Sequence, residues 1–318
     1  MKTIFGLSNL KEEFKDTLVL IGVFDGMHRG HRYLIEKSVR KAKALHKKTA
    51  VITFHPHPKG QPYLISLTHR LKVIAELGVD VCLVIRFSER FAKSPPESFI
   101  RDILVKFFHP LYVFVGDNFR FGYRARGDVA LLKRLGKLFG FQVKPVGELG
   151  AGRKKISSKV IRSLIRAGSL KEAEELLGRR VSVLGTVIKG SSRGRVLGYP
   201  TANIDPHHEV LPKPGVYAVK VFYNQKEYNG ICNIGSRPTF IPSFQERAGF
   251  GSQEEPLNIE VHLFNFKKDI YREDLEIQFI RRLRDEKKFP SSSSLANQLK
   301  EDSRQALRLL KRMRAEVC

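Results

Sequence analysis

Two histidines, His28 and His31, stand three residues apart around Gly30 and follow the turn Phe24-Asp25-Gly26. Glycines let a backbone approach an anion closely, and a helix start offers aligned N–H donors. An imidazole adds a further donor, neutral or charged. The set of Gly22, Phe24, Asp25, Gly26 and Gly30 with the two histidines suits a bound phosphate. A second set is Ser157, Ser158 and Arg162. Two serines open an apolar-periodic run, as helix caps do, and a guanidinium one turn later can meet the same phosphate. A third stretch runs Gly190-Ser-Ser-Arg193-Gly194-Arg195-Val-Leu-Gly198-Tyr-Pro200-Thr201-Ala-Asn203. Its glycines and arginines suit a loop wrapped around phosphate. Thr201 and Asn203 lie two apart on an extended segment, so their oxygens face one way, as ligands for Mg²⁺ beside nucleotide phosphates do. In 258–263, Glu260 and His262 alternate with Ile259, Val261 and Leu263. A carboxylate in a barrel mouth is a candidate general base; an ordinary strand-face glutamate fits the same alternation.

These residues need elements to hold them. The apolar run 18–23 reads as a buried parallel strand, and the helical pattern of Leu34, Ile35, Val39 and Ala42 follows the histidines. Strands are expected at 49–54, 79–87, 112–115 and 141–146, alternating with helices near 70–77 and 129–138. A further amphipathic helix is expected with Ile100, Ile103, Leu104 and Phe107 in the core. Repeated units of this kind imply a doubly wound parallel sheet, a Rossmann-like α/β domain. The loop 116–128 carries aromatics and arginines at a strand's end, which suits a planar ligand with a phosphate tail; packing of Phe119 and Phe121 within the loop is the alternative. His55-Pro56-His57-Pro58 reads as a stiff wall after its strand.

At Arg180 the texture changes, which sets expected domains of 1–180 and 181–318. Short strands are expected at 181–189, 215–223, 227–233, 258–264 and 275–281, with a hairpin turn at Asn224-Gln225-Lys226. They imply a small antiparallel β-barrel. Residues 241–257, rich in Gly and Glu, read as a mobile lid or a floppy loop. A terminal helix carrying Leu295, Leu299, Leu307 and Leu310 is expected to dock on the barrel.

The 318 residues carry a formal charge of +25, with lysine and arginine spread along the chain rather than clustered. That distribution fits solvated helix faces and anionic substrates better than a nucleic-acid site. No apolar run has membrane-spanning length, and 1–7 lacks the apolar core of a signal peptide. Three widely spaced cysteines form no metal motif and suit a reducing cytoplasm.

H-x-G-H is the pattern of the nucleotidyltransferase superfamily. Taken together, the motifs resemble the bifunctional riboflavin kinase/FAD synthetases of bacteria from about Leu18 to Leu310. Gly22-Val-Phe-Asp-Gly-Met-His-Arg-Gly-His31, Thr53-Phe-His-Pro-His-Pro58, Gly116-Asp-Asn-Phe-Arg-Phe-Gly122 and Ile156-Ser-Ser-Lys-Val-Ile-Arg162 resemble the FMN adenylyltransferase module. Residues 193–203, 214–217, 233–239, 260–263 and 283–289 resemble riboflavin kinase. The resemblance implies that riboflavin is phosphorylated to FMN by Mg·ATP, and that FMN is adenylylated to FAD with release of pyrophosphate. It implies Glu260 as base, Thr201 and Asn203 on the metal, and His28 and His31 on ATP phosphates. Phe54, Pro56, Pro58, Asn118 and Arg284 are the implied flavin contacts. Three positions depart from the family: Lys159 where threonine is usual, His55 where glutamate is usual, and Arg29 where an apolar residue is usual. Lys159 sits inside the phosphate motif, where it offers a point charge without a hydroxyl; a weakened transferase beside an active kinase is one alternative. A basic RNA-binding protein on an inactive transferase fold is another. A transferase acting on pantetheine or nicotinate phosphate fits the second half poorly, and no Lys-Met-Ser-Lys-Ser-like loop marks an aminoacyl-tRNA synthetase.

Overall fold

The computed structural model describes residues 1–61, 63–147, 150–151, 154–190, 198–236 and 257–315. The chain divides into two units, Met1–Ile161 with Glu175–Gly178, and Arg162–Glu174 with Arg179–Cys318.

In the first unit, β2 (Thr17–Ile21) is buried at every position. Its pleat sends Leu18 and Leu20 to one face, against Leu34, Ile35 and Val39 of α1 (Arg29–Ala44). Val19 and Ile21 turn to the other face, against Ile100, Ile103 and Leu104. A strand covered on both faces reads as a continuous apolar run, which is why this one does. The sheet continues through β3 (Thr49–His55), β4 (Val81–Arg86), β5 (Pro110–Gly116) and β6 (Gln142–Val146), and β1 (Lys2–Phe5) adds to its edge. The order is β1-β4-β3-β2-β5-β6, with every pairing parallel. β1 has no sequence period of its own, because four residues are too few; pairing with β4 defines it. α2 (Leu67–Glu76) is capped by Ser66, whose hydroxyl accepts from the His69 N–H, and α5 (Val129–Phe139) by Asp128. Before β5, α3 (Glu89–Ala92) and α4 (Pro96–Phe99) are single turns.

The helix expected to bury Phe107 winds more widely than an α-helix: Ile100–Phe108 is a π-helix. The wider turn brings Ile100, Leu104 and Phe108 onto one face, so Phe108 is fully buried and Phe107 packs at the margin.

After β6 come a two-residue ladder, β7 (Gly150–Ala151) with β8 (Lys154–Lys155), then α6 (Ser158–Ala167) and α7 (Leu170–Leu177). The second unit is a closed antiparallel barrel in the order β10-β13-β12-β11-β14-β9. Its strands are β9 (Ser182–Ile188), β10 (Ala202–Asp205), β11 (Gly215–Tyr223), β12 (Lys226–Ser236), β13 (Leu257–Leu263) and β14 (Asp274–Arg284). Tyr223 pairs with Lys226, leaving Asn224 and Gln225 as a two-residue turn with φ of 47° and 62°. Both central residues at positive φ make the turn whose twist matches the strands. Tyr217, Val219, Cys232, Ile259, Val261, Ile277 and Phe279 fill the interior. The terminal helix α8 (Ser292–Ala315) packs Ala306, Leu299 and Leu309 against Ala218 and Ile231.

Candidate active sites

The strand order reverses between β2 and β5, and open α/β sheets bind ligands at such a reversal, beyond the strands' carboxyl ends. The loop from Gly22 to His31 leaves β2 there. Phe24 sits at φ 54° with its ring buried, edge-on to His31 at 5.4 Å. Gly26 has φ 75°, and a Cβ there would lie 2.4 Å from Leu64 Cδ1. Asp25 is buried, and its Oδ1 accepts the Leu64 N–H at 2.7 Å, so this carboxylate braces the loop. His28 is the extended residue before α1. The His28 and His31 rings stack with centroids 3.7 Å apart and planes 19° apart. At Gly30 a Cβ would come within 3.3 Å of the His28 ring, so bare backbone gives that ring its place.

Burial pulls the His28 imidazole down to about 4. Burial, then the nearby His28 and Arg70, hold His31 well below the ordinary imidazole range. Both rings are therefore neutral at pH 7. Each Nδ1 is buried without a hydrogen-bond partner among the described residues. A buried N–H lacking an acceptor is costly, so the arrangement favours a bare Nδ1 and a proton on Nε2.

Ser157 caps α6, its Oγ accepting the Val160 N–H at 3.4 Å. Ser158 donates to the Asp25 carbonyl at 3.1 Å. The serine motif and the histidine loop, far apart in sequence, thus meet. Lys159 is exposed, and Arg162 follows one turn into the helix. Gly22 abuts the Phe24 ring. Asn118 lies exposed after β5, its Oδ1 folded over Gly116. Phe54, next to last in β3, lies near Phe87 and Phe91, while Pro56 is exposed and Pro58 half-buried. Phe119 and Phe121 stack on each other at 5.4 Å, and both join the core cluster, so packing within the loop is part of their role. Arg70 and Tyr63 were not anticipated as site residues. Arg70 is wholly buried yet lies on a helix of mixed apolar and charged residues, and nothing local marks it.

In the second unit, Asn203, Glu260 and Asn233 form one row across β10, β13 and β12. Asn258 Nδ2 donates to Glu260 Oε1 at 2.8 Å. Asn203 is buried against Gly190, where a Cβ would sit 1.9 Å from its Nδ2. His262 Nδ1 lies 2.8 Å from the Pro200 carbonyl and fastens the segment before Thr201 to β13. Gly198, exposed with φ 79°, turns the chain into that segment. Glu260 is half-buried on the face of β13 opposite Ile259 and Val261, which turn inward. It therefore lies on the barrel's outer face and not inside its mouth. A small barrel fills its interior with side chains and leaves no lumen for a ligand. Arg193, Gly194 and Arg195 lie outside the described residues, as does the expected loop 241–257 except for Leu257, which opens β13.

Arg284 is held tightly. Its Nε reaches Asp302 Oδ1 at 3.0 Å, its Nη2 reaches Oδ2 at 2.8 Å, and its Nη1 donates to the Asp285 carbonyl at 2.9 Å. Asp302 is 1 % exposed, so the pair clamps β14 to α8. A carboxylate on a docking helix gives no sign of its partner in sequence, and this clamp was not foreseen.

Among the described residues no three His, Cys, Asp or Glu side chains gather to hold a metal, and no helix is long and apolar enough to cross a membrane.

The FAD synthetase family matches residues 10–160, and the riboflavin kinase family matches residues 177–310. A bifunctional riboflavin kinase/FMN adenylyltransferase of Buchnera aphidicola subsp. Schizaphis graminum is 37% identical over 312 residues, covering 95% of this chain and 96% of the relative. Its counterpart in Escherichia coli is 36% identical, over 95% of this chain and 96% of its own. A crystal structure from Streptococcus pneumoniae, described as a macrolide-efflux protein, superposes with a TM-score of 0.77 at 30% identity, covering 96% of this chain and 98% of that one. Two families matched in order, and relatives aligned over nearly their whole length, place the chain in the bifunctional riboflavin kinase/FMN adenylyltransferase family.

Proposed function

We propose that the two units carry out consecutive steps: the second phosphorylates riboflavin to FMN with ATP, and the first joins FMN to AMP from ATP, releasing pyrophosphate and FAD. Family membership over the whole chain supports the pair of reactions. The observation that carries the assignment of residues is the separate convergence of two polar sets. One is the stacked His28 and His31 beside Ser158; the other is the Asn203–Glu260 row.

In adenylyl transfer, negative charge builds on oxygens about the ATP α-phosphorus while pyrophosphate departs. Neutral His28 and His31, each donating from Nε2, hydrogen-bond those oxygens. Gly22, Gly26 and Gly30 keep the backbone close to the phosphates, and Ser157, Ser158 and Arg162 hold the triphosphate. Phe54, Pro56, Pro58 and Asn118 contact the flavin. Lys159 adds a cation at the start of α6. No covalent enzyme intermediate is needed; positioning and charge stabilisation supply the rate.

In the kinase, Glu260 takes the proton of the riboflavin 5′-hydroxyl as its oxygen attacks the ATP γ-phosphorus. Asn258 orients that carboxylate. Thr201 and Asn203 offer neutral oxygens, which suit Mg²⁺ bound jointly with phosphates rather than in an all-protein cage; the pocket that Gly190 leaves for Asn203 fits this part. Mg²⁺, when bound, neutralises phosphate charge. Gly190, Arg193, Gly194, Arg195, Gly198 and Pro200 are the residues assigned to the kinase's nucleotide. Arg284 serves flavin binding by setting residues 285–289 from its Asp302 clamp.

The functional boundary is placed at Arg180. The start of the riboflavin kinase match at residue 177 and of β9 at Ser182 supports it. Buried free thiols at Cys82 and Cys232 suit a reducing cytoplasm. The test is incubation of the protein with riboflavin and Mg·ATP, with flavins separated by chromatography. Both FMN and FAD are expected. FMN without FAD would remove the transferase reading and direct attention to Lys159.

A further inference from the structure

Arg70 has the largest side chain fully shut off from solvent among the described residues. It projects from α2 beneath the histidine loop. Its Nη1 donates to the Val23 carbonyl at 2.7 Å, and its Nη2 donates to the Phe54 carbonyl at 3.2 Å. The Tyr63 ring lies 4.6 Å from its guanidinium carbon, and the Tyr63 hydroxyl donates to the same Phe54 carbonyl. Those acceptors are carbonyls rather than carboxylates, and its Nε is buried without a hydrogen-bond partner among the described residues.

Val23 is the second residue past β2, and Phe54 is the second-last of β3. The guanidinium thus ties together two adjacent strand ends where their carbonyls run out of sheet partners. Thr53 Oγ1 shares the Val23 carbonyl at 3.1 Å. A lysine has one nitrogen and cannot span both acceptors, whereas the arginine fork does. Burying a cation costs several kcal/mol, a large penalty for bracing that neutral donors could supply. A buried charge under an anion-binding loop has a second use: in low dielectric its field reaches the loop little screened.

We propose that Arg70 is a positioning residue of the adenylyltransferase site, fixing the Val23–His31 loop and lending it an internal positive charge that favours an anionic substrate. The inference rests on reading the first unit as the transferase. The titratable neighbours of His31 are His28, stacked on it, and Arg70; His55, Tyr63 and Cys82 lie in the field of Arg70, and Asp25 acts on Tyr63. Arg70 disfavours imidazolium at His31, so His31 stays a neutral donor further into acid than it would without the guanidinium.

The experiment measures FAD formation from supplied FMN and Mg·ATP across pH, for Arg70→Lys and Arg70→Gln of the full chain. FMN formation from riboflavin in the same samples reports folding of the second unit, and circular dichroism reports the first. Arg70→Lys keeps the charge and loses the fork. It should lower kcat at least tenfold while leaving the acid limb of kcat/KM in place. Arg70→Gln loses the charge, and its acid limb should move to higher pH by at least about half a unit. A Lys variant within about threefold of the parent, or a folded Gln variant with an unmoved acid limb, would overturn the proposal. Should Arg70→Gln fail to fold, Arg70→Lys decides alone. A parent protein that makes no FAD from FMN would instead refute the reading on which the inference rests.

Discussion

Replacing His28 with glutamine should make the protein more tolerant of acid. The His28 imidazole titrates at about 4 in the folded chain against an ordinary 6.5, because burial disfavours its charged form. An unfolded chain takes up that proton near 6.5. Between the two values the unfolded state binds more protons, so stability is full above 6.5 and is lost as pH falls towards 4. The gap is worth about 3 kcal/mol. Glutamine keeps a polar side chain of similar reach and cannot gain a proton. Urea unfolding followed by the helical circular-dichroism signal, at about pH 7 and about pH 4, gives the comparison. The parent should lose about 3 kcal/mol more than His28→Gln over that range. Asp16, Asp102, Asp128 and Asp285 have depressed pKa values and also cost stability as pH falls, but they do so equally in both proteins. Equal losses in parent and variant would refute the burial argument for the stacked pair.

Arg284→Met leaves the buried Asp302 carboxylate without its counter-charge, hydrogen-bonded by the Gln298 amide at 2.9 Å, and should cost about 3 kcal/mol; Arg284→Met with Asp302→Leu should recover most of that in thermal unfolding. A single variant costing under about 1 kcal/mol would show that the clamp is dispensable. In Gly190→Ala the new methyl overlaps Asn203 Nδ2, 1.9 Å from the ideal Cβ. FMN formation should fall at least about tenfold, with FAD formation from supplied FMN unchanged. Gly26→Ala places a Cβ 2.4 Å from Leu64 at a φ of 75° and should cost roughly 1–3 kcal/mol, read from the urea midpoint.

Much of this molecule could be read from its residues, and the reasons are local. β2 and β11 announce themselves because one is buried on both faces and the other ends in a turn that needs two positive φ values. The histidine loop and the serine cap were visible because glycine, histidine and serine carry their chemistry in their own side chains or lack of one. What escaped depends on distant partners. β1 exists through its pairing with β4, the π-helix through the packing of Phe108, and the Asp302 clamp through the docking of α8. Arg70 escaped for the same reason: burial of one charge cannot be seen in a helix that also carries Lys72 and Glu76. Glu260 was recognised as a strand-face residue, but its side of the barrel follows from how the interior fills, and that required all six strands.

The central claim is that two independent sites on one chain perform two reactions in sequence. The most direct measurement crosses two variants with two substrates. Glu260→Gln removes basicity and little else, so FMN formation from riboflavin should fall by about 10²- to 10⁴-fold, with FAD formation from supplied FMN intact. His31→Ala should show the reverse, continuing to make FMN while FAD formation drops severely. If either variant lowered both activities together while remaining folded, or if Glu260→Gln kept FMN formation within about threefold of the parent, the assignment of the two sites would be contradicted.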